Sequence, residues 1–171
     1  LGVWFYLTPY LAVRDMRSAA LNRDAKTFCA YIDFPVLKDN LKSELNAKML
    51  AEMNKDQKMK DNPFSGLAMT LGPAMVNNMV DGFVSPAGIE RLFKGDFNPN
   101  QTTQGTAQPP AVATQTFSSD FMNEEKGELT TGYNSYNEFE VSYKPKTGGG
   151  SKLIFERRGL WGWKLINMKI D

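Results

Sequence analysis

From Tyr10 onward the apolar residues advance by three and four. Tyr10, Val13, Met16 and Ala20 share one side of a helical wheel, and Thr8 followed by Pro9 reads as a cap and a first helical position. Asn22 to Asp24 interrupt this stripe. Asp24 is placed to cap a short second helix running to about Ile32, and Asp33 a third, with Pro35 tolerated in its first turn. Leu37, Leu41, Leu45, Met49 and Met53 then recur every fourth residue, with Lys38, Lys42 and Glu52 off the stripe. Residues 63–84 predict a further helix with a break or kink at Gly72-Pro73. Ser85-Pro86 opens a short helix carrying Ile89, Leu92 and Phe93, and Gly95 stops it.

The rhythm changes after a stretch rich in Gln, Thr, Asn and Pro. Residues 96–116 carry no periodicity and predict a long flexible loop. Beyond it the apolar positions alternate. Leu129, Thr131 and Tyr133 form one such set, and Phe139, Val141 and Tyr143 another, the latter interleaved with Glu138, Glu140 and Ser142. "KPKTGGGSK" reads as a hairpin loop, "KLIFER" as the next strand, and Gly159 to Gly162 as a turn into "WKLINMKI". The fold class is therefore α+β: a helical N-terminal two thirds packed on a curved antiparallel meander of three or four strands.

The opening "LGVWFYLTPYLAV" has no charge in thirteen residues. Seven residues before Thr8-Pro9 are too few to span a bilayer, which takes ~20. Aromatics such as Trp4, Phe5 and Tyr6 favour the membrane–water boundary, so residues 1–7 read as the stub of a membrane anchor or signal segment, the alternative being an N-terminal arm that packs on the domain. Residues 8–171 then form a single domain. The expected location is the cell envelope, inner-membrane-anchored or periplasmic.

Composition narrows the chemistry. Twenty basic against nineteen acidic residues leave +1, with both signs mixed, so no nucleic-acid partner is expected. There is no His, which removes the usual general base and the usual metal ligand. Cys29, the single cysteine, reads as a small buried hydrophobe because nothing beside it lowers its pKa. No cofactor and no metal site is expected. "TGGGSK" lacks the full spacing of a phosphate loop and leads into a strand, where such a loop needs a helix.

Several residues nonetheless invite a functional reading. Six of the nine methionines lie between Met49 and Met79. Met49/Met53 and Met75/Met79 are i,i+4 pairs expected to face inward, as core filling or as an adaptable apolar groove. Tyr133, Tyr136, Tyr143, Trp161 and Trp163 concentrate in the strand half, where a concave sheet could hold a hydrophobic ligand. Arg157 and Arg158, adjacent in a strand, point to opposite faces; one could meet an anion, though solvation is the plainer expectation. Asp33 is either an N-cap or, with Tyr136, a proton-transfer pair.

The stretches "TPYLAVRDMRSAALNRDAKTFCAYIDFPVLKDNLKSEL" and "GLWGWKLINMKI" resemble a bacterial domain-of-unknown-function family. Its pattern is a hydrophobic N-terminal anchor, a Pro-Tyr-Leu start (Pro9-Tyr10-Leu11), an Asp-Phe-Pro-x-Leu element (Asp33 to Leu37) and a Trp-Lys-Leu ending (Trp163-Lys164-Leu165). That resemblance implies an anchor and an envelope location, and no activity. A broader resemblance, carried by Ala20, Asp24, Phe28 and the final strand, is to the NTF2-like cone superfamily, which holds both enzymes and ligand carriers. The expected function is a non-enzymatic binding module for a hydrophobic small molecule, a peptide or a partner protein. The ligand-binding candidates are Tyr133, Tyr136, Trp161, Trp163, Met75 and Met79. The alternatives are an NTF2-like enzyme using Asp33 and Tyr136, and a homodimerising structural module.

Overall fold

A computed structural model of the chain describes residues 2–55, 65–94, 127–145 and 150–170. Among the described residues five helices come first: α1 (Gly2–Leu21), α2 (Ala25–Ala30), α3 (Phe34–Lys55), α4 (Ser65–Phe83) and α5 (Pro86–Lys94). Four strands follow: β1 (Gly127–Ser135), β2 (Glu138–Pro145), β3 (Ser151–Arg158) and β4 (Gly162–Ile170). They pair in sequence order as an antiparallel meander, so the chain is α+β with an open four-stranded sheet. The expected loop over 96–116, the Gly95 stop and the tip of the β2–β3 hairpin lie outside the described residues.

The helix caps follow from local chemistry. Asp24 accepts from the Thr27 N–H at 3.0 Å, Asp33 from the Val36 N–H at 3.4 Å, and the Ser85 hydroxyl from the Gly88 N–H at 3.0 Å. Each satisfies a donor that the first helical turn cannot pair.

Two prolines behave differently from expectation. Pro9 sits inside α1, which runs unbroken from Gly2 to Leu21, so Thr8 is not its cap and residues 2–7 continue the helix. Thr8 is buried and its hydroxyl accepts a 2.9 Å hydrogen bond from the Trp163 indole N–H of β4. Pro73 lies inside α4, with no break there. A helical proline removes one N–H···O bond, and packing on a neighbouring helix offsets that loss. Gly72 serves this packing: a Cβ there would come within 2.7 Å of the Met49 thioether of α3.

One interior joins helices and sheet. Met16 and Ala20 of α1, Phe28 of α2, Leu37 and Leu41 of α3, Val80 of α4 and Phe93 of α5 meet Phe139, Val141, Phe155, Trp163 and Leu165 in a single cluster. Leu45 packs against its margin. The strand alternation holds: Phe139, Val141 and Tyr143 are buried, while Glu140 on the other face pairs with Lys152 at 3.2 Å. Leu129, at the outer end of β1, is exposed.

In β4 the register against β3 shifts between Ile154 and Phe155, so Leu165 pairs with Phe155 and Met168 with Leu153. This bulge lets residues three apart face the same interior. Both are buried. The carbonyl of the intervening Ile166 accepts from the Asn40 side chain of α3 at 2.8 Å. The β3–β4 turn is made possible by Gly159 at φ +71°, a conformation glycine adopts without a Cβ penalty. Among the described residues no helix is long and apolar enough to cross a membrane.

The Thr8–Trp163 bond is a sensitive point of this packing. Thr8→Val keeps the shape and leaves the buried indole N–H without its acceptor, a loss of about 1–3 kcal/mol. Urea denaturation is expected to show a lower midpoint with an unchanged slope.

Candidate functional site

An open groove of about 920 Å³ lies between α1, α2 with its flanking turns, and the start of β4. Thr8, Leu11, Ala12 and Asp15 of α1 form one wall, spaced so that one helical face presents them all. Lys26, Thr27, Ala30 and Tyr31 form the second wall, with Asp24 at its rim. Trp161, Gly162, Trp163 and Lys164 form the third.

The groove combines an apolar floor with a largely polar rim. Ala12 and Trp163 are buried, Leu11 and Tyr31 half-buried, and Trp161 stands exposed at the edge. Several polar groups at the rim are already engaged. Asp24 holds Thr27 through both its backbone N–H and its hydroxyl, and these bonds keep its carboxyl below the usual carboxylate range. Lys164 donates to the Ala30 carbonyl. Asp15 pairs with Arg14 at 3.0 Å and also faces the Tyr31 hydroxyl, and burial, reinforced by that carboxylate, pushes the phenol up. The groove thus brings the Tyr31 phenol near the Asp15 carboxyl within a lining that mixes apolar and polar side chains.

The structure disperses the residues that the sequence nominated. Trp161 and Trp163 line the groove together. Tyr133 belongs to an aromatic cluster next to it: its ring stacks on Tyr6 at 5.1 Å and meets Trp163 edge-on at 5.9 Å, and its hydroxyl donates to the Tyr6 carbonyl at 2.8 Å. Tyr136 sits in the β1–β2 turn, away from any lining position. Met75 and Met79 are on α4, which packs on α3 and α5. Met75 is exposed, contrary to the inward-facing expectation. α4 presents Val76 and Val80 to the core instead, and a neighbouring position is turned by about 100° from that stripe.

The Asp33 carboxylate is engaged elsewhere, and the Tyr136 side chain is exposed at its turn. The Asp33 carboxylate caps α3 and receives Arg158 at 3.0 Å, so one of the two adjacent arginines does meet an anion. Arg157 lies over the Trp163 ring at 4.3 Å and donates to the Tyr136 carbonyl, so neither arginine is merely solvated. Cys29 is half-buried against the core and burial raises its thiol, in keeping with a packing role. Among the described residues no group of three or more acidic or thiol side chains is gathered in a way that could hold a metal. The residues that sequence reasoning missed are Asp15 and Tyr31. They lie sixteen positions apart on different helices, and no short motif links them.

The chain belongs to the family described as Protein of unknown function (DUF2939), whose model matches residues 1–92. That stretch supplies two of the groove's three walls, including Thr8, Asp15 and Tyr31, whereas Trp161 and Trp163 fall beyond it. No curated protein and no solved structure matches the chain.

Three raised tyrosines contribute to the pH dependence of stability at alkaline pH. Burial is the first cause of the raised phenols of Tyr10, Tyr31 and Tyr133. An unfolded chain loses those protons near pH ~10, before the folded one does. Between the two values the folded state binds more protons, so stability falls as pH rises past about 10. Spectrophotometric titration of the phenolates is expected to show a class titrating later than free tyrosine, diminished in Tyr31→Phe.

Proposed function

We propose that the chain is a non-enzymatic binding module that holds a hydrophobic small molecule or an apolar peptide segment in the groove between α1, α2 and β4. The observation that carries this reading is the groove itself: an open space of about 920 Å³ with Leu11, Tyr31, Trp161 and Trp163 in its walls. Its size falls in the range of about 300–1,000 Å³ typical of small-molecule sites. The Asp15–Tyr31 pair would orient a ligand carrying a hydrogen-bonding group, while the indoles supply contact area. A proton-transfer enzyme built on Asp33 and Tyr136 has less in its favour, because the Asp33 carboxylate is held by the α3 cap and by Arg158. The NTF2-like reading belongs to the same proposal. In its favour is a single antiparallel sheet with α1 and α3 laid against β4.

A neutral solvatochromic naphthylamine tests the groove. Its fluorescence is expected to rise on binding, and Ala30→Trp, which adds bulk at an exposed groove position, is expected to weaken binding at least about tenfold with an unchanged circular dichroism spectrum. Equal binding by the variant would remove the groove from the function.

We also propose an envelope location, supported by the charge-free run of residues 1–13 and by the exposed Tyr6 and Leu7 of α1. Fractionation of cells making the full-length protein is expected to place it with the membranes. Recovery in the cytosolic fraction alone would reject this location.

A further inference from the structure

One end of the molecule gathers large apolar side chains that have no place in the core. Arg157 ties its two β-turns together. Its backbone N–H donates to the Asn137 carbonyl at 2.8 Å, and its guanidinium to the carbonyls of Tyr136 at 3.2 Å and Leu160 at 3.3 Å. The N-terminal part of α1 reaches the same end, through the Tyr6–Tyr133 stack and the Thr8–Trp163 bond. Of the large apolar side chains whose exposure is described, the three most exposed are all here: Tyr136 at 80%, Leu160 at 68% and Tyr6 at 57%. Trp161 and Leu7 adjoin them, also exposed.

We infer that this end beds into the interfacial layer of a lipid bilayer, with Tyr136 and Leu160 at the tips of the two turns as the inserting side chains. Turns ordinarily carry Gly, Asn, Asp, Ser or Pro, and spending Leu160 and Trp161 on one between two glycines exposes apolar area that solvent does not favour. The residue set is Tyr, Trp and Leu, which matches the headgroup boundary, where an aromatic body lies in the apolar layer and its polar atom stays wet. The surface is formed by two protruding turns, a shape suited to a deformable partner. It is also continuous with the end of α1 that bears the charge-free run of residues 1–13, so that run and the most exposed apolar tips address the same side. Insertion of this kind is driven by apolar burial, and it therefore persists at high ionic strength. The inference extends the envelope location and is independent of what the groove binds.

The test uses the full chain and unilamellar vesicles, either phosphatidylcholine alone or a phosphatidylethanolamine–phosphatidylglycerol mixture. Co-sedimentation is expected with both, with little change when salt is raised, and with a blue shift of tryptophan emission as Trp161 enters the interface. The double variant Tyr136→Ser/Leu160→Ser is expected to lower the partition coefficient by about tenfold or more. Both side chains are exposed and neither lines the groove, so an unchanged circular dichroism spectrum and unchanged naphthylamine binding separate this outcome from misfolding and from failure of the groove. Equal partitioning of the double variant would overturn the inference, since another surface would then be responsible. So would absence of wild-type partitioning, or a concentration-dependent dimer that the double variant abolishes without any vesicle binding.

Discussion

The joint between the α2–α3 connection and strand β4 holds the two halves of this protein together. Leu165 donates its N–H to the Tyr31 carbonyl at 2.7 Å and accepts from the Asp33 N–H at 3.0 Å, so Ile32 pairs with β4 as a short parallel bridge. A sheet edge otherwise leaves a row of unpaired groups. Here the helical half supplies their partner at the centre of the edge, and Asn40 satisfies the carbonyl of Ile166 beside it. Leu165 is fully buried at this junction, with Phe28 and Leu37 in the same cluster. Polar pairing and apolar burial thus reinforce each other at one residue. Placement of the groove follows, because it is the space left beside the joint, between the two helices the joint positions and the strand it engages.

Much of this architecture was legible because its signals are local. The four-residue stripe through Leu37 and Leu41 needs only a helix and an apolar interior, and the alternation of Phe139, Val141 and Tyr143 needs only a sheet with one covered face. Asp24, Asp33 and Ser85 were recognisable as caps because a cap is a contact over three residues. The prolines misled for the opposite reason. At Pro9 and Pro73 a local penalty is outweighed by contacts from distant segments, Trp163 on Thr8 in one case and α3 on α4 in the other. The site was less legible than the fold. Trp161 and Trp163 stood out by type, but their partners Asp15 and Tyr31 are brought near only by the crossing of α1 and the end of α2. Met75 was misassigned because, on a helix apolar nearly all round, spacing alone does not say which stripe faces inward.

The family relationship bears on the groove unevenly. The matched stretch, residues 1–92, contains α1, α2 and the whole helical side of the joint, while the strand that receives them lies outside it. The helical walls, with Asp15 and Tyr31, therefore lie within the matched stretch. The indoles of β4 belong to the remainder of this chain.

The span of the joint carries a consequence for biogenesis. The Thr8–Trp163 bond connects residues 155 positions apart, and β4 is the last of the described elements to leave the ribosome. During translation α1, α2 and α3 therefore emerge with their apolar faces uncovered and wait for the strand that covers them. Contacts of such long sequence separation close late and slow the search for the native state. Over that interval the nascent chain exposes Met16, Phe28, Leu37 and Leu41 together, a surface that holding chaperones are suited to shield.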